Sequence, residues 1–225
     1  MANVHPINSG ADGTASFSLL LQQILNCTLL SSIFKLRKLI IDSIISLDGY
    51  YTDPKNSIDW FDFDEGEQEW SKEINRRVDT MIYGRRTYEE FSAFWPTPRP
   101  EKIGFDPLLI KQLRELPKII FSRSLSSAPW KPSTIVRENP GEAISKMKKE
   151  AGRDMVVVGS GSVVTALVSE GLVDEYRIRI RPIILGAGKP LFSDRNARHP
   201  LRLVSMQQFN NGVIGLHYEP LLNKV

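Results

Sequence analysis

The chain has 225 residues, enough for one domain with a full hydrophobic core and an extra segment at one end. Its 29 basic and 26 acidic residues leave a net charge of only +3 with no basic block, so nucleic-acid binding has no support, and a single cysteine, Cys27, excludes an intrachain disulfide. With only His5, His199 and His217 besides, no metal site is expected, and a reducing, cytoplasmic compartment is the default.

Residues 1–37 stand apart as an N-terminal extension. The first 18 are small and polar and read as a flexible arm, and Leu21, Ile24, Leu25, Leu29 and Ile33 then recur at the spacing of an amphipathic helix. Gln22, Gln23 and Asn26 interrupt that apolar run, which falls short of the roughly 20 apolar residues of a membrane span. Lys35, Arg37 and Lys38 follow the run, whereas a secretory signal carries its positive charges first, so no membrane association is expected.

The domain proper is expected over residues 38–225. Residues 38–45 (KLIIDSII) read as a central strand that runs into Ser46-Leu47-Asp48-Gly49. Ligands of open α/β sheets bind beyond the carboxyl ends of the strands, which makes Asp48 a candidate for facing one; the other reading is a turn carboxylate bonded to its own backbone. Residues 51–63 hold Asp53, Asp59, Asp62 and Trp60 without periodicity, and read either as an active-site lid or as a loop pinned by its aromatics. Residues 66–78 have helical spacing, with Trp70, Ile74 and Val78 on one face and Glu67 sharing it. Glu73 is expected to pair with Arg77 on the surface, and Glu67 either stabilises the helix N-terminus or serves a site.

Three strand ends then repeat one theme. Residues 80–83 lead into Gly84-Arg85-Arg86-Thr87 at a helix start; residues 118–121 end in Ser122-Arg123-Ser124; residues 155–158 (MVVV) turn through Gly159-Ser160-Gly161-Ser162 into a helix with Ser162 as the expected N-cap. A glycine turn opening a helix offers free N–H groups and a positive dipole end to a phosphate, though such turns also occur without a ligand. Val164 stands where a Rossmann fingerprint needs its third glycine, so the standard dinucleotide fold is not expected. Arg123 beside serine hydroxyls suits the 2′-phosphate that separates NADP from NAD. Asp106-Pro107 and Asn139-Pro140 cap two further helices. In residues 176–181 (YRIRIR) arginines alternate with apolar residues as in a half-exposed strand, which suggests a homodimer through the C-terminal strands. Residues 201–209 and 213–218 close the chain as a hairpin around Asn210-Asn211-Gly212.

In this order, Ser46-Leu47-Asp48-Gly49, Ser57-Ile58-Asp59-Trp60, Gly84 to Glu89, Phe121-Ser122-Arg123-Ser124, Val158 to Ser162, and Leu172-Val173-Asp174-Glu175 through Leu185-Gly186-Ala187-Gly188 resemble the dihydrofolate-reductase-like family. The likeness is in particular to the C-terminal reductase domain of bifunctional riboflavin-biosynthesis proteins and its stand-alone bacterial relatives. The resemblance covers residues 38–220 and implies an α/β fold: a mostly parallel central sheet flanked by helices, with an antiparallel C-terminal hairpin. It implies an NADPH-dependent reductase, with Gly84, Arg85, Thr87, Ser122, Arg123, Gly159, Ser160, Gly161, Ser162 and Val163 lining the cofactor. The implied substrate is a small heterocycle, in the riboflavin branch 5-amino-6-(5-phosphoribosylamino)uracil, whose ribose is reduced. Two positions depart from the family pattern: Gln68, beside Glu67, stands near where dihydrofolate reductases place a carboxylate, and residues 90–95 lack a substrate-phosphate arginine. Asp48, Asp59 and Glu67 are the candidates for substrate contact or proton delivery, a task that requires a raised pKa at neutral pH. The alternatives are a nucleotide-binding module without turnover and a dihydrofolate reductase.

Overall fold

The computed structural model describes residues 36–193 and 198–221, so the arm and amphipathic helix expected before residue 36 lie outside it. The chain divides after Leu36, and the unit beginning at Arg37 is built on an eight-stranded sheet. Its strands are β1 (Leu39–Ser46), β3 (Val78–Gly84), β4 (Lys118–Phe121), β5 (Ser133–Val136), β6 (Asp154–Val158), β7 (Glu175–Arg181), β9 (Leu201–Gln208) and β10 (Ile214–Pro220). They lie in the order β5-β4-β3-β6-β1-β7-β10-β9. All neighbours from β5 to β7 are parallel, and β10 runs antiparallel to both β7 and β9. A separate two-stranded ribbon joins β2 (Tyr50–Thr52) to β8 (Lys189–Pro190).

The side-chain alternation of the central strands builds two cores. Ile40, Val156, Met81 and Tyr83 point to one face, where they meet Trp70 and Ile74 of helix α1 (Glu65–Arg77), Tyr88 of α2 (Arg85–Phe94), and Leu109 and Leu113 of α4 (Pro107–Glu115). Leu39, Ile41, Ile82, Met155 and Val157 point to the other, against Ile144 of α5 (Pro140–Met147) and Val164 and Leu167 of α6 (Gly161–Ser169). Strands covered on both faces take apolar residues at successive positions, which is why LII and MVVV read as continuous apolar runs. A single turn, α3 (Arg99–Lys102), links α2 to α4.

Local chemistry sets the helix ends. Asp64 caps α1 by accepting the Glu67 N–H at 2.8 Å, Asp106 caps α4, and Asn139 caps α5, the last two followed by proline where the missing N–H costs nothing. The last glycine turn departs from expectation. Its N-cap is Ser160, in the left-handed region at φ +65°, and not Ser162, which is exposed on the first turn of α6.

β7 also corrects the sequence reading. It lies between β1 and β10, and Arg177, Arg179 and Arg181 are all at least 93% buried under α1, so the strand is not half-exposed. Arg77 leaves Glu73 and turns inward to Glu175, at 2.7 Å, and Asp154, at 3.2 Å. The alternation was read correctly as a strand, but whether its polar face met water was decided by the helix laid across it.

Candidate active site

The carboxyl ends of β4, β3 and β6, neighbours in the sheet, bring the three glycine- and serine-bearing turns into one row. Ser160 locks two of them together: its Oγ accepts the Gly84 N–H at 2.7 Å and donates to Thr87 Oγ1 at 2.8 Å. The glycines answer to close approach. A Cβ on Gly84 would sit 3.2 Å from Ser160 Oγ, and one on Gly161 would sit 2.7 Å from the Tyr51 ring and 3.1 Å from the Pro190 carbonyl oxygen. Gly159 has φ +56°, which disfavours any side chain there. The helix α2 thus opens at Gly84 and α6 at Gly161, at the ends of neighbouring strands, each with its positive end at that edge of the sheet. Gly84, Thr87, Gly159, Ser160 and Gly161 form one cluster, with Ser162 exposed at its rim and Val163 buried behind it. Arg85 closes an i,i+4 pair with both oxygens of Glu89, at 3.0 and 2.9 Å.

On the other side of β3, Ser122 Oγ accepts the N–H groups of Ser124 (3.3 Å) and Leu125 (2.9 Å), which folds residues 122–125 into a tight loop. Arg123 stands exposed on it, and among the described residues its guanidinium has no hydrogen-bond or ion-pair partner.

Next to β6 in the sheet, β1 and β7 carry a buried charge network that reaches α1. Arg179 holds both oxygens of Asp42 at 3.2 and 3.1 Å and reaches Ser71 Oγ at 3.1 Å. Arg181 holds Glu67 at 3.0 and 3.2 Å, and Asn211 of the hairpin turn donates to the same carboxylate at 2.7 Å. Phe63 lies 5.4 Å from the Arg181 guanidinium and 5.8 Å from that of Arg179. It also stacks on Phe105 at 5.6 Å, so the aromatics of the long loop act as anchors. Asp42 sits level with the glycine turn, since its carbonyl oxygen accepts the Gly159 N–H.

The three acids chosen from sequence are therefore in different situations. Asp48 is exposed, accepts from Ser46 Oγ at 2.6 Å and from the N–H groups of Leu185 and Gly186, and these bonds, the Ser46 one foremost, lower its pKa. A carboxyl so held stays ionised at neutral pH and ties two loops together. Glu67 is completely buried and ion-paired. Asp59 is exposed, and its carboxylate has no hydrogen-bond partner among the described residues. Gln68 accepts the Asp106 N–H at 2.7 Å, docking α4 on α1 instead of facing a ligand. Sequence reasoning missed Asp42, Arg179 and Arg181; a lone aspartate inside an otherwise apolar strand was the available signal, because burying a carboxylate there requires a partner.

One further cluster has the outline of a metal site: Glu175, His217 and Glu219 offer atoms within 4.8 Å of one another. Both Glu175 oxygens, however, are held by Arg77, one of them also by Lys38 at 3.1 Å, so the cations already there balance the carboxylate.

Comparison with known proteins adds to this geometry. Residues 37–215 match the family model described as the RibD C-terminal domain. The uncharacterized Bacillus subtilis protein YyaP is 32% identical over 186 residues, 82% of this chain and 95% of YyaP. A pyrimidine reductase-like protein of Corynebacterium diphtheriae superposes with a TM-score of 0.58 at 18% identity, covering 85% of this chain and 94% of its own. The diaminohydroxyphosphoribosylaminopyrimidine deaminase/5-amino-6-(5-phosphoribosylamino)uracil reductase of Thermotoga maritima superposes at 0.59 with 14% identity, over 83% of this chain and 57% of its own.

Proposed function

This chain belongs to the RibD C-terminal domain family, a family of reductases, and on that premise we propose that it is an NADPH-dependent reductase of a small heterocycle. The proposed substrate class is the phosphoribosylamino-pyrimidine type named for the Thermotoga maritima neighbour. The observation that carries the reading is the row of turns at the ends of β4, β3 and β6, two of them locked by Ser160, with a tight approach at Gly84 and a Cβ that would collide with Tyr51 at Gly161. Such a row fits a dinucleotide phosphate: backbone N–H groups at Arg85–Thr87 and Gly161–Ser162 take the diphosphate, and Ser122 and Arg123 take the ribose 2′-phosphate. Bound NADPH supplies the hydride.

The protein's own part is to orient substrate, exclude water and supply a proton. Asp59 is the candidate for substrate contact or proton delivery whose carboxylate has no partner among the described residues; Asp48 orders the substrate side through the 185–186 loop, and Glu67 holds Arg181. A homodimer through the C-terminal strands belongs to the same proposal, with β9 as its surface, since that edge strand is exposed along all eight residues. Sedimentation at micromolar concentration is expected to give a dimer; a monomer would remove this part of the proposal.

The test of the cofactor is a binding titration with NADPH, with NADH as control and Arg123→Ala beside the unmodified protein. We expect NADPH to bind tighter than NADH, and Arg123→Ala to weaken NADPH by about tenfold, the loss of one charge-assisted phosphate contact. No binding of either nucleotide sinks the reading. A second reading, a nucleotide-binding module without turnover, draws support from the engagement of Asp48 and Glu67. It predicts NADPH binding with no cofactor oxidation across ribosylated pyrimidines and pterins.

A further inference from the structure

We propose that Arg137 is a positioning residue for cofactor choice, holding the main chain of residues 122–125 so that Arg123 faces the ribose 2′-phosphate. This rests on the NADPH reading above and extends it to a residue that need not touch the nucleotide. Arg137 directly follows β5, which pairs in parallel with β4 and sets Val136 opposite Phe121. From there its Nη1 donates to the carbonyl oxygens of Arg123 at 2.8 Å and Ser122 at 3.4 Å, and its Nη2 to that of Leu125 at 3.1 Å. The Ser122 N–H completes the junction by donating to Val136 O at 3.1 Å. The loop is thus closed from within by the Ser122 hydroxyl and from the neighbouring strand by one guanidinium.

The electrostatic consequence falls on the site. Carbonyl oxygens repel a phosphate dianion, and here three of them are turned to a cation and held there. Among the described residues Arg123 itself has no partner for its guanidinium, and it is presented on a loop whose backbone is already held, so a phosphate it binds does not have to order that loop as well. Only arginine serves three carbonyls from one fork of donors; lysine is a point charge without that geometry. Arg137 is exposed, so its removal costs the fold little.

The experiment measures dissociation constants for NADPH and NADH by fluorescence titration, and melting temperature, in wild type, Arg137→Ala, Arg137→Lys, Arg123→Ala and the double alanine variant. We expect Arg137→Ala to weaken NADPH about tenfold and NADH by less than about twofold, with the melting temperature nearly unchanged. Arg137→Lys recovers only part of the loss. In the Arg123→Ala background, Arg137→Ala is expected to cost less than about twofold, because nothing remains to be positioned. Equal weakening of both nucleotides marks a merely structural role and overturns the proposal. Full additivity in the double variant means that Arg137 meets the phosphate itself and also overturns it. Wild-type protein that prefers NADPH, with Arg137→Ala unchanged, overturns this inference alone; wild-type protein that binds both nucleotides alike overturns the cofactor reading and this inference with it.

Discussion

Glu67→Ala should destabilise the fold by about 3–5 kcal/mol, the usual cost of leaving a buried cation without its counter-ion. Glu67 is fully buried, Arg181 is 4% exposed, and the Arg181 guanidinium has no other carboxylate in contact among the described residues. The Asn211 amide loses its acceptor in the same step. Denaturant unfolding measures the loss directly. Glu67→Met combined with Arg181→Met removes both charges and is expected to recover most of it, since an apolar pair of similar volume is often neutral relative to a buried ion pair. A single variant within about 1 kcal/mol of wild type would show that water or a neighbouring acid replaces the carboxylate, and would return Glu67 to consideration as a proton donor.

The second large effect is acid lability centred on Glu175. Burial alone would raise its pKa, but hydrogen bonds and charge from Arg77 and Lys38 outweigh that and hold it down to about 2. An unfolded glutamate titrates at 4.5, so the folded state holds this carboxylate in its charged form across the interval between. The stabilisation is therefore fully present above pH 4.5 and is lost as pH falls from there toward 2, a loss of roughly 3 kcal/mol. Stability measured from pH 7 downward should drop through that window. In Glu175→Gln, already less stable at neutral pH, the drop should be shallower by about the same amount. An unchanged slope in the variant would assign the acid lability to other carboxylates.

Much of the fold was legible because it depends on neighbours a few residues apart. Asp106-Pro107 and Asn139-Pro140 cap helices as read, since capping is a contact between residues two or three positions apart. The MVVV run is a strand buried on both faces, and the glycine turns open helices, because apolar character and glycine's freedom of φ are properties of those residues themselves. The exception at short range is instructive. Ser162 has the composition of an N-cap, yet Ser160 takes that place, because its hydroxyl is drawn to Gly84 and Thr87 more than seventy residues away. β5, which the sequence reading passed over, has only four residues, too few for a period to register, and it is the strand that delivers Arg137.

The buried charge network is where sequence reasoning stopped. Asp42 and Arg179 are 137 residues apart, and Glu67 and Arg181 are 114 apart, so no window along the chain contains either pair. By itself the sequence determined most of the strands and helices, the three glycine- and serine-bearing turns and the family, each of which is written in the identity and spacing of nearby residues. Only the tertiary structure decided that the arginines of β7 are buried, that Arg77 leaves Glu73 for Glu175, and that Asp48 and Glu67 are engaged while the Asp59 carboxylate has no partner among the described residues. The physical reason is that a charged side chain's role is set by which opposite charge folding brings within a few ångströms and how much water is removed from between them.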